Sequence, residues 1–587
     1  MQKYKTNWDL SLLYKNENDP EIEKYLKKYE SAYSKLEKRY KGKDFTSSAS
    51  KLLEALKYRE ELFSDLDGNI PHWYFALRTD LNSDDSVAGA LATKIEQRIT
   101  KAAGRITFFH LAICNTPKAK QKVYLKDKSL APFRYSLEKA FKAGQYMLTE
   151  KEEQLEDLLS QTGYTMWIDG QERVLNKETI NFKGENVPLS KAVYIISDQS
   201  KEDRDYLNNE INKVLFKISD FAEAEINAIY NYKKIMDERR GYKRPQSSTI
   251  LGCENDEKSI DNLVSLVSKN FKISHRFYKL HAKLLKQKTL SVGDRAVPMG
   301  KIMKKFDFET SAEILKRAFA KVDSKYPEIL KGFLENGQID VYPRKGKRGG
   351  AYCWGTGLKP TFVLLNHTDN VGSVETFAHE MGHAFHTELS KQQPARYRKY
   401  STATAEVAST FFEQLVSSEL ENELSKEERT ILLHNKIMGD MSTIFRQIAF
   451  YNFELELHER IREEGQVSKD KIAKLFSKHL KSYMGDVFDV TDEDGYFFVK
   501  LSHMRRFFYV YSYAYGQIIS RALFEKWKEN PTYSKKIEQF LKVGRSASPE
   551  AIFKSIGIDT SKPEFFLAGL KGIEKDIKKL EKLTRAK

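Results

Sequence analysis

Apolar positions recur at helical spacing along most of this chain. From about Asp19 to Lys41, aromatic and aliphatic residues alternate with charges every three or four positions, which predicts a helix. Thr149-x-x-Glu152 has the form of a capping box and opens a helix through Leu155, Leu158 and Leu159, with Gly163 as its stop. Arg173 to Ser197 mixes β-branched and turn-forming residues and predicts a small strand excursion. Helical patterns resume over Lys201 to Met236 and Asp256 to Lys288. They break at 338–368, where Ile339–Pro343 reads as a strand, a glycine-rich turn spans Arg344–Gly350, Ala351–Trp354 follows, and Pro360–Asn366 reads as a second strand. The chain shows no fixed-period repeat and no low-complexity linker. A soft boundary near residue 200 separates an N-terminal helical region, 1–200, from a second region, 201–587.

The next helix carries His379-Glu380-Met381-Gly382-His383. Ser373 is its expected N-cap, and Glu375 falls in the first turn, where negative charge suits the helix dipole. Residues i and i+4 lie one above the other on a helix face. Both imidazoles therefore point at one spot with Glu380 beside it, the ligand pair and general base of a zinc hydrolase. Gly382 costs roughly 1 kcal/mol against alanine in a helix. It fits the close approach of another backbone and is also compatible with plain helix packing.

A catalytic zinc needs a third protein ligand. His386 lies about 10 Å beyond His379 along a straight helix, too far to share an ion. Glu406 is the better candidate. The helix runs to about Ser390, Pro394 bars its continuation, and a new helical pattern starts near Thr402. If that helix returns antiparallel, rises of roughly 10 Å out and 9 Å back nearly match, and Glu406 comes beside His383. Glu413 overshoots a ligand position but is placed to hydrogen-bond a ligand.

A strand just before such a helix can present its edge to an extended peptide and bind many sequences alike. Glycines there allow close backbone approach. Gly349, Gly350, Ala351 and Tyr352 are the candidate substrate contacts; a phosphate-binding loop and an ordinary hairpin are the other readings. Near the other end, His503 to Gly516 reads as a tyrosine-dense helix. Amide hydrolysis creates an oxyanion that neutral phenol and imidazole donors stabilise. One or two of these tyrosines and His503 are expected to face a cleft, while the rest pack.

Composition narrows the function. Of 587 residues, 40% are hydrophobic and 31% charged, which suits a globular chain with a sizeable core. No stretch approaches the roughly 20 apolar residues of a membrane span, and Met1–Asp9 lacks the apolar core of a signal peptide. Cytoplasm is the expected compartment. Cys114, Cys253 and Cys353 are far apart and odd in number, so they form neither a disulfide framework nor a zinc knuckle. Cys353, close in sequence to the candidate site, is either redox-sensitive or a small packed residue. The net charge of +16 is spread over many helices instead of one arm, so neither nucleic acid nor membrane is an expected partner.

Several motifs recur here in a specific order: Gly346-Lys347-Arg348-Gly349-Gly350-Ala351-Tyr352, Phe362-Val363-Leu364-Leu365-Asn366, Ala378 to His383, and Ala405-Glu406-Val407-Ala408-Ser409-Thr410-Phe411. With Trp8-Asp9-Leu10-Ser11, His275 to Leu280, Asp294-Arg295 and Phe508 to Ala514, the chain resembles oligoendopeptidase F of the M3 metallopeptidases, whose relatives include thimet oligopeptidase and neurolysin. The resemblance implies a mainly α, two-lobed fold with a deep central channel and a small β-sheet beside the zinc helix. It implies cleavage of internal bonds in short peptides, because the channel walls exclude folded proteins. It also implies one Zn²⁺ on His379, His383 and Glu406, with Glu380 as catalytic glutamate. The tyrosine-rich segment matches the oxyanion-stabilising region, with His503 and Tyr513 as the favoured pair and Tyr511 in reserve. His367 and Tyr515 stand where the family has a tyrosine and a threonine, which bears on substrate contacts and not on the chemistry. Two other readings are a metallo-exopeptidase on the same ligands and a basic helical binding protein with a vestigial metal site.

Overall fold

The computed structural model describes residues 3–66 and 69–585. The chain is 71% helical and, among the described residues, has two small sheets, so it is mainly α. It forms two compact units, each drawn from three segments. The first comprises Met1–Met147, Lys304–Glu423 and Leu523–Gly557; the second comprises Leu148–Met303, Leu424–Ala522 and Ile558–Lys587. The boundary near 200 coincides with none of the five crossings of the chain between units; the two that flank it are at 147/148 and 303/304. Among the described residues no helix is long and apolar enough to cross a membrane.

Local rules account for most helix boundaries. Pro20–Tyr40 starts where the Asp19 side chain accepts the Glu21 N–H, and it buries Ile22, Leu26, Tyr29, Ala32, Leu36 and Tyr40 on one face. Thr149 and Glu152 form the expected reciprocal box at the start of Glu150–Ser160. Gly163 is not the stop. The chain passes through a π-type turn, Gln161–Thr165, into the helix Met166–Lys177. A Cβ at Gly163 would lie 2.7 Å from the Tyr232 ring, so this glycine serves close packing instead of termination. Leu155, Leu158 and Leu159 are exposed and anchor no core. The stretch 201–236 is two helices, Lys201–Lys217 and Ser219–Arg240, interrupted at Ile218.

The strand excursion is a hairpin, Thr179–Phe182 against Glu185–Pro188. Lys183 and Gly184 both take positive φ, 54° and 84°, as a two-residue hairpin turn requires. In the first unit, a three-stranded sheet places Phe362–Leu364 in the middle, parallel to Ile339–Asp340 and antiparallel to Tyr352–Trp354. The expected strand to Pro343 ends at Asp340, since Pro343 offers no N–H and Val341 donates to Thr6 O instead (2.9 Å). That side of the sheet is covered by the N-terminal segment, where Trp8 also donates its indole N–H to Val363 O (2.8 Å). Tyr352–Trp354 is left as the outer strand on the opposite side.

Candidate active site

The helix Val371–Ser390 leaves the sheet carrying the histidine pair. Its cap is Asn370, whose side chain accepts the Ser373 N–H at 2.9 Å. Ser373, the expected cap, lies one turn inside and accepts from the Thr368 N–H (3.0 Å). The next long helix is Thr402–Leu420, as the sequence pattern predicts. The two pack so closely at Gly382 that a Cβ there would lie 2.6 Å from Ser409 Cα and 3.0 Å from Ala408 O. Only glycine permits this contact. Gly382→Ala is expected to destabilise the protein by about 1–3 kcal/mol through overpacking against backbone, overriding a helix-propensity gain of about 1 kcal/mol. A denaturant midpoint unchanged or raised in that variant would contradict the close-approach reading.

This contact brings Glu406 to the two imidazoles. One donor atom from each of His379, His383 and Glu406 lies within 4.8 Å of the others. His379 Nε2 is 3.5 Å from Glu406 Oε2, and the two imidazole rings stand 5.0 Å apart at 81°. Behind them Glu413 Oε2 binds His379 Nδ1 at 2.9 Å. That bond fixes the ring so that Nε2 faces the convergence point. His386 lies elsewhere: it is buried, stacked on Tyr400 at 3.8 Å and near Phe540.

Burial and crowding of charge set the protonation states. Burial lifts the Glu380 carboxyl to about 7, reinforced by Glu406 and Glu413 and opposed by His379. Its Oε2 has no hydrogen-bond partner among the described residues. Burial alone would lower His379, but the Glu413 hydrogen bond and the surrounding carboxylates carry it to about 9. His383 is pushed well below the usual imidazole range by burial and by the neighbouring His379 and His386. Three glutamates and two imidazoles thus crowd one place. Two nitrogens and one carboxylate oxygen form a donor set that zinc accepts, and the buried Glu380 carboxylate stands beside it with Oε2 unbonded among the described residues.

The outer strand Tyr352–Trp354, and not the central run Phe362–Leu364, is the edge available to a ligand. Burial raises the Cys353 thiol well above its ordinary value, with Glu380 adding to the effect, which favours the packed reading of Cys353 over a reactive one. The glycine-rich turn is clamped from inside. Asp340, fully buried, pairs with Arg344 (2.6 Å) and Lys347 (2.7 Å), and Lys347 also donates to Leu365 O (2.5 Å). The phosphate-loop reading fails because this lysine is spent on the fold. Gly349 and Gly350 have open space where a Cβ would stand, and Ala351 and Tyr352 are half-buried. Asp80 ties down the strand: its Oδ2 accepts the Tyr352 phenol (2.6 Å) and its carbonyl accepts the Arg348 N–H (2.8 Å). Asp80 and Asp340 escaped sequence reasoning, since no local pattern links Asp80 to a residue 272 positions away.

In the second unit the tyrosine-rich stretch is not one helix. A 3₁₀ segment, Ser502–Arg506, is followed by a turn at Phe507 and Phe508, both at positive φ, and a helix begins at Tyr511. His503 Nε2 meets Tyr513 Oη at 3.3 Å, and the Tyr509 ring stands edge-on to Tyr513 at 5.3 Å. Tyr511 does not join them: it is fully buried and donates its hydroxyl to Asn255 Oδ1 (2.9 Å). Tyr511 and Tyr513, two residues apart on the helix Tyr511–Glu529, point in different directions, so the reserve candidate implied by the resemblance packs inside while Tyr513 meets His503. The two departures from the family pattern are also internal. His367 is buried with Nε2 at Phe306 O (2.9 Å), and Tyr515 is buried beside Phe566.

A family model described as peptidase family M3 matches residues 238–572. The chain belongs to peptidase family M3. A second model, described as oligopeptidase F, matches residues 113–169. Among relatives, the chain is 28% identical to oligopeptidase PepF of Bacillus subtilis over 562 residues, covering 93% of this chain and 82% of that protein. It is 27% identical to an oligoendopeptidase F homolog of Borreliella burgdorferi, covering 94% of each. Among solved structures, the fold matches a Chlamydophila abortus chain with a TM-score of 0.86 at 24% identity, covering 98% of each chain. It matches oligoendopeptidase-F of Enterococcus faecium with a TM-score of 0.71 at 19% identity, covering 96% of this chain and 99% of that one. The family resemblance and the mainly α class expected from the sequence are both borne out.

Proposed function

We propose that this M3 peptidase is a zinc-dependent oligoendopeptidase in which His379, His383 and Glu406 hold one Zn²⁺ and Glu380 is the general base. That it is a metallopeptidase cutting internal bonds of peptides follows from its family and its oligoendopeptidase F relatives. The observation supporting the site is the convergence of three donor atoms within 4.8 Å, reached from two helices, beside a buried carboxylate.

When bound, zinc supplies a Lewis acid that acidifies water and polarises a carbonyl. Glu380 takes the proton of the attacking water and passes it to the leaving amine. Glu413 holds the His379 ring in place through Nδ1. The outer strand Tyr352–Trp354, with Gly349, Gly350 and Ala351 before it, pairs with the substrate backbone, which reads peptide geometry and not side-chain identity. For His503 and Tyr513 the family resemblance carries over the role of neutral hydrogen-bond donors to an oxyanion. Burial, with Arg446 and Arg506, keeps the His503 pKa low, so its imidazole is a neutral donor.

A peptide blocked at both ends tests the reaction class. Mass spectrometry is expected to show internal cleavage, abolished by chelation and restored by Zn²⁺; an uncut blocked peptide would instead indicate an exopeptidase. Metal binding also stabilises the fold. Free Zn²⁺ at a hundredfold over its dissociation constant is expected to add about 2.7 kcal/mol, visible as a higher melting temperature in wild type and a much smaller rise in His383→Ala. Equal rises in both proteins would rule out this site as the one responsible.

A further inference from the structure

We propose that Glu454 is a positioning residue for catalysis, holding the turn at Phe507 and Phe508 that sets His503 against Tyr513. This rests on the reading of His503 and Tyr513 as oxyanion donors and adds to it the group that fixes their geometry.

Between those two residues the backbone adopts an unfavourable conformation. Phe507 has φ 42° and ψ 110°, and Phe508 has φ 56°. Two successive bulky residues thus occupy conformations that glycine adopts freely. Such strain persists only where the surroundings over-determine it, and it gathers at functional sites. Here the surroundings are specific. The Phe508 N–H donates to Glu454 Oε1 at 2.8 Å, and Thr249 Oγ1 donates to the Phe507 carbonyl at 2.9 Å. Upstream, the buried Arg505 binds both carboxylate oxygens of Glu225 and the carbonyls of Phe498, Val499 and Leu501. Downstream, the Phe508 ring contacts Tyr451 and His458 at 5.4 and 5.0 Å.

Glu454 belongs to the helix Arg446–Glu464 and is 1% exposed. Burying a carboxyl to receive one backbone N–H is an expensive way to build a turn. Glycines at 507 and 508 would make the same turn without strain and without Glu454, but would leave it loose. The clamped turn instead delivers a rigid separation: His503 from one side and Tyr513 from the other, with Nε2 and Oη 3.3 Å apart. Catalytic donors lose effectiveness steeply with small displacements, which gives rigidity a function.

The test is a double-mutant cycle on the zinc-loaded full chain with an internally quenched peptide. Glu454→Ala is expected to lower kcat about 10- to 100-fold with KM little changed. Glu454→Gln, which keeps the acceptor oxygen, is expected to recover kcat to within about 3-fold of wild type. In a Tyr513→Phe background, Glu454→Ala is expected to cost no more than about 2-fold further. Losses that multiply in the double variant, or a wild-type kcat in Glu454→Ala, would overturn the positioning role. A wild-type kcat in Tyr513→Phe alone would overturn the donor reading, and this proposal with it. If Glu454→Ala does not fold, Thr249→Val decides. It removes the other hydrogen bond to the turn and is expected to lower kcat in wild type but not in Tyr513→Phe; a matching loss in both backgrounds would overturn the proposal.

Discussion

Glu380→Gln is expected to keep its metal and to lose kcat by about 10²- to 10⁴-fold, the contribution of a positioned general base. Glutamine has the same shape, so the packing around this buried position survives. Glu380 is not one of the three converging donors, so metal content is expected to match wild type. Its Oε2 accepts no hydrogen bond among the described residues, so replacing it by an amide nitrogen breaks no structural bond. What changes is the capacity to take a proton. Elemental analysis of the purified variant and steady-state kinetics on one peptide separate the two effects. Turnover near wild type would remove Glu380 as the base; loss of metal would show that it supports the ion instead.

Glu406→Ala is expected to lose metal affinity by more than the about 10- to 100-fold typical of removing a group that only supports a ligand. Glu413→Ala serves as the comparison, since Glu413 touches His379 Nδ1 from behind and is expected to fall within that range. The reason for the ranking is geometric. Glu406 Oε2 lies on the Nε2 side of His379, where the imidazoles converge, whereas Glu413 lies on the opposite side of the ring. Competition titration with a zinc-sensitive dye measures both. If Glu413→Ala proved the weaker binder, the assignments of these two carboxylates would have to be exchanged.

How far the site was legible from sequence depends on how local each relation is. His379 and His383 stand one helical turn apart, so a single segment determines their juxtaposition. Glu406 was reachable because a proline-containing loop joins two helices of nearly matched length to the site, and Gly382 marked where they meet. The capping box at Thr149 is local, and the helix Glu150–Ser160 forms it. Gly163 was equally local but misread, because its reason, the Tyr232 ring, belongs to a distant segment. The same holds for Tyr511, whose hydroxyl partner, Asn255, is 256 positions away. The stretch His503 to Gly516 reads as one helix, but two positive φ angles at Phe507 and Phe508 interrupt it.

By itself, then, the sequence determined the helical class, the pairing of His379 with His383 on one helix face, the place of Glu380 between them in sequence, and Glu406 on the returning helix. All of these follow from periodicity and caps acting over one or two neighbouring elements. Only the tertiary structure decided which strand is the sheet's open edge, that Asp80 and Asp340 brace it, and which tyrosine stands with His503. Those outcomes depend on tertiary contacts, such as that between Asp80 and Tyr352 across 272 positions, and on backbone strain that local preference opposes and the surrounding packing sustains.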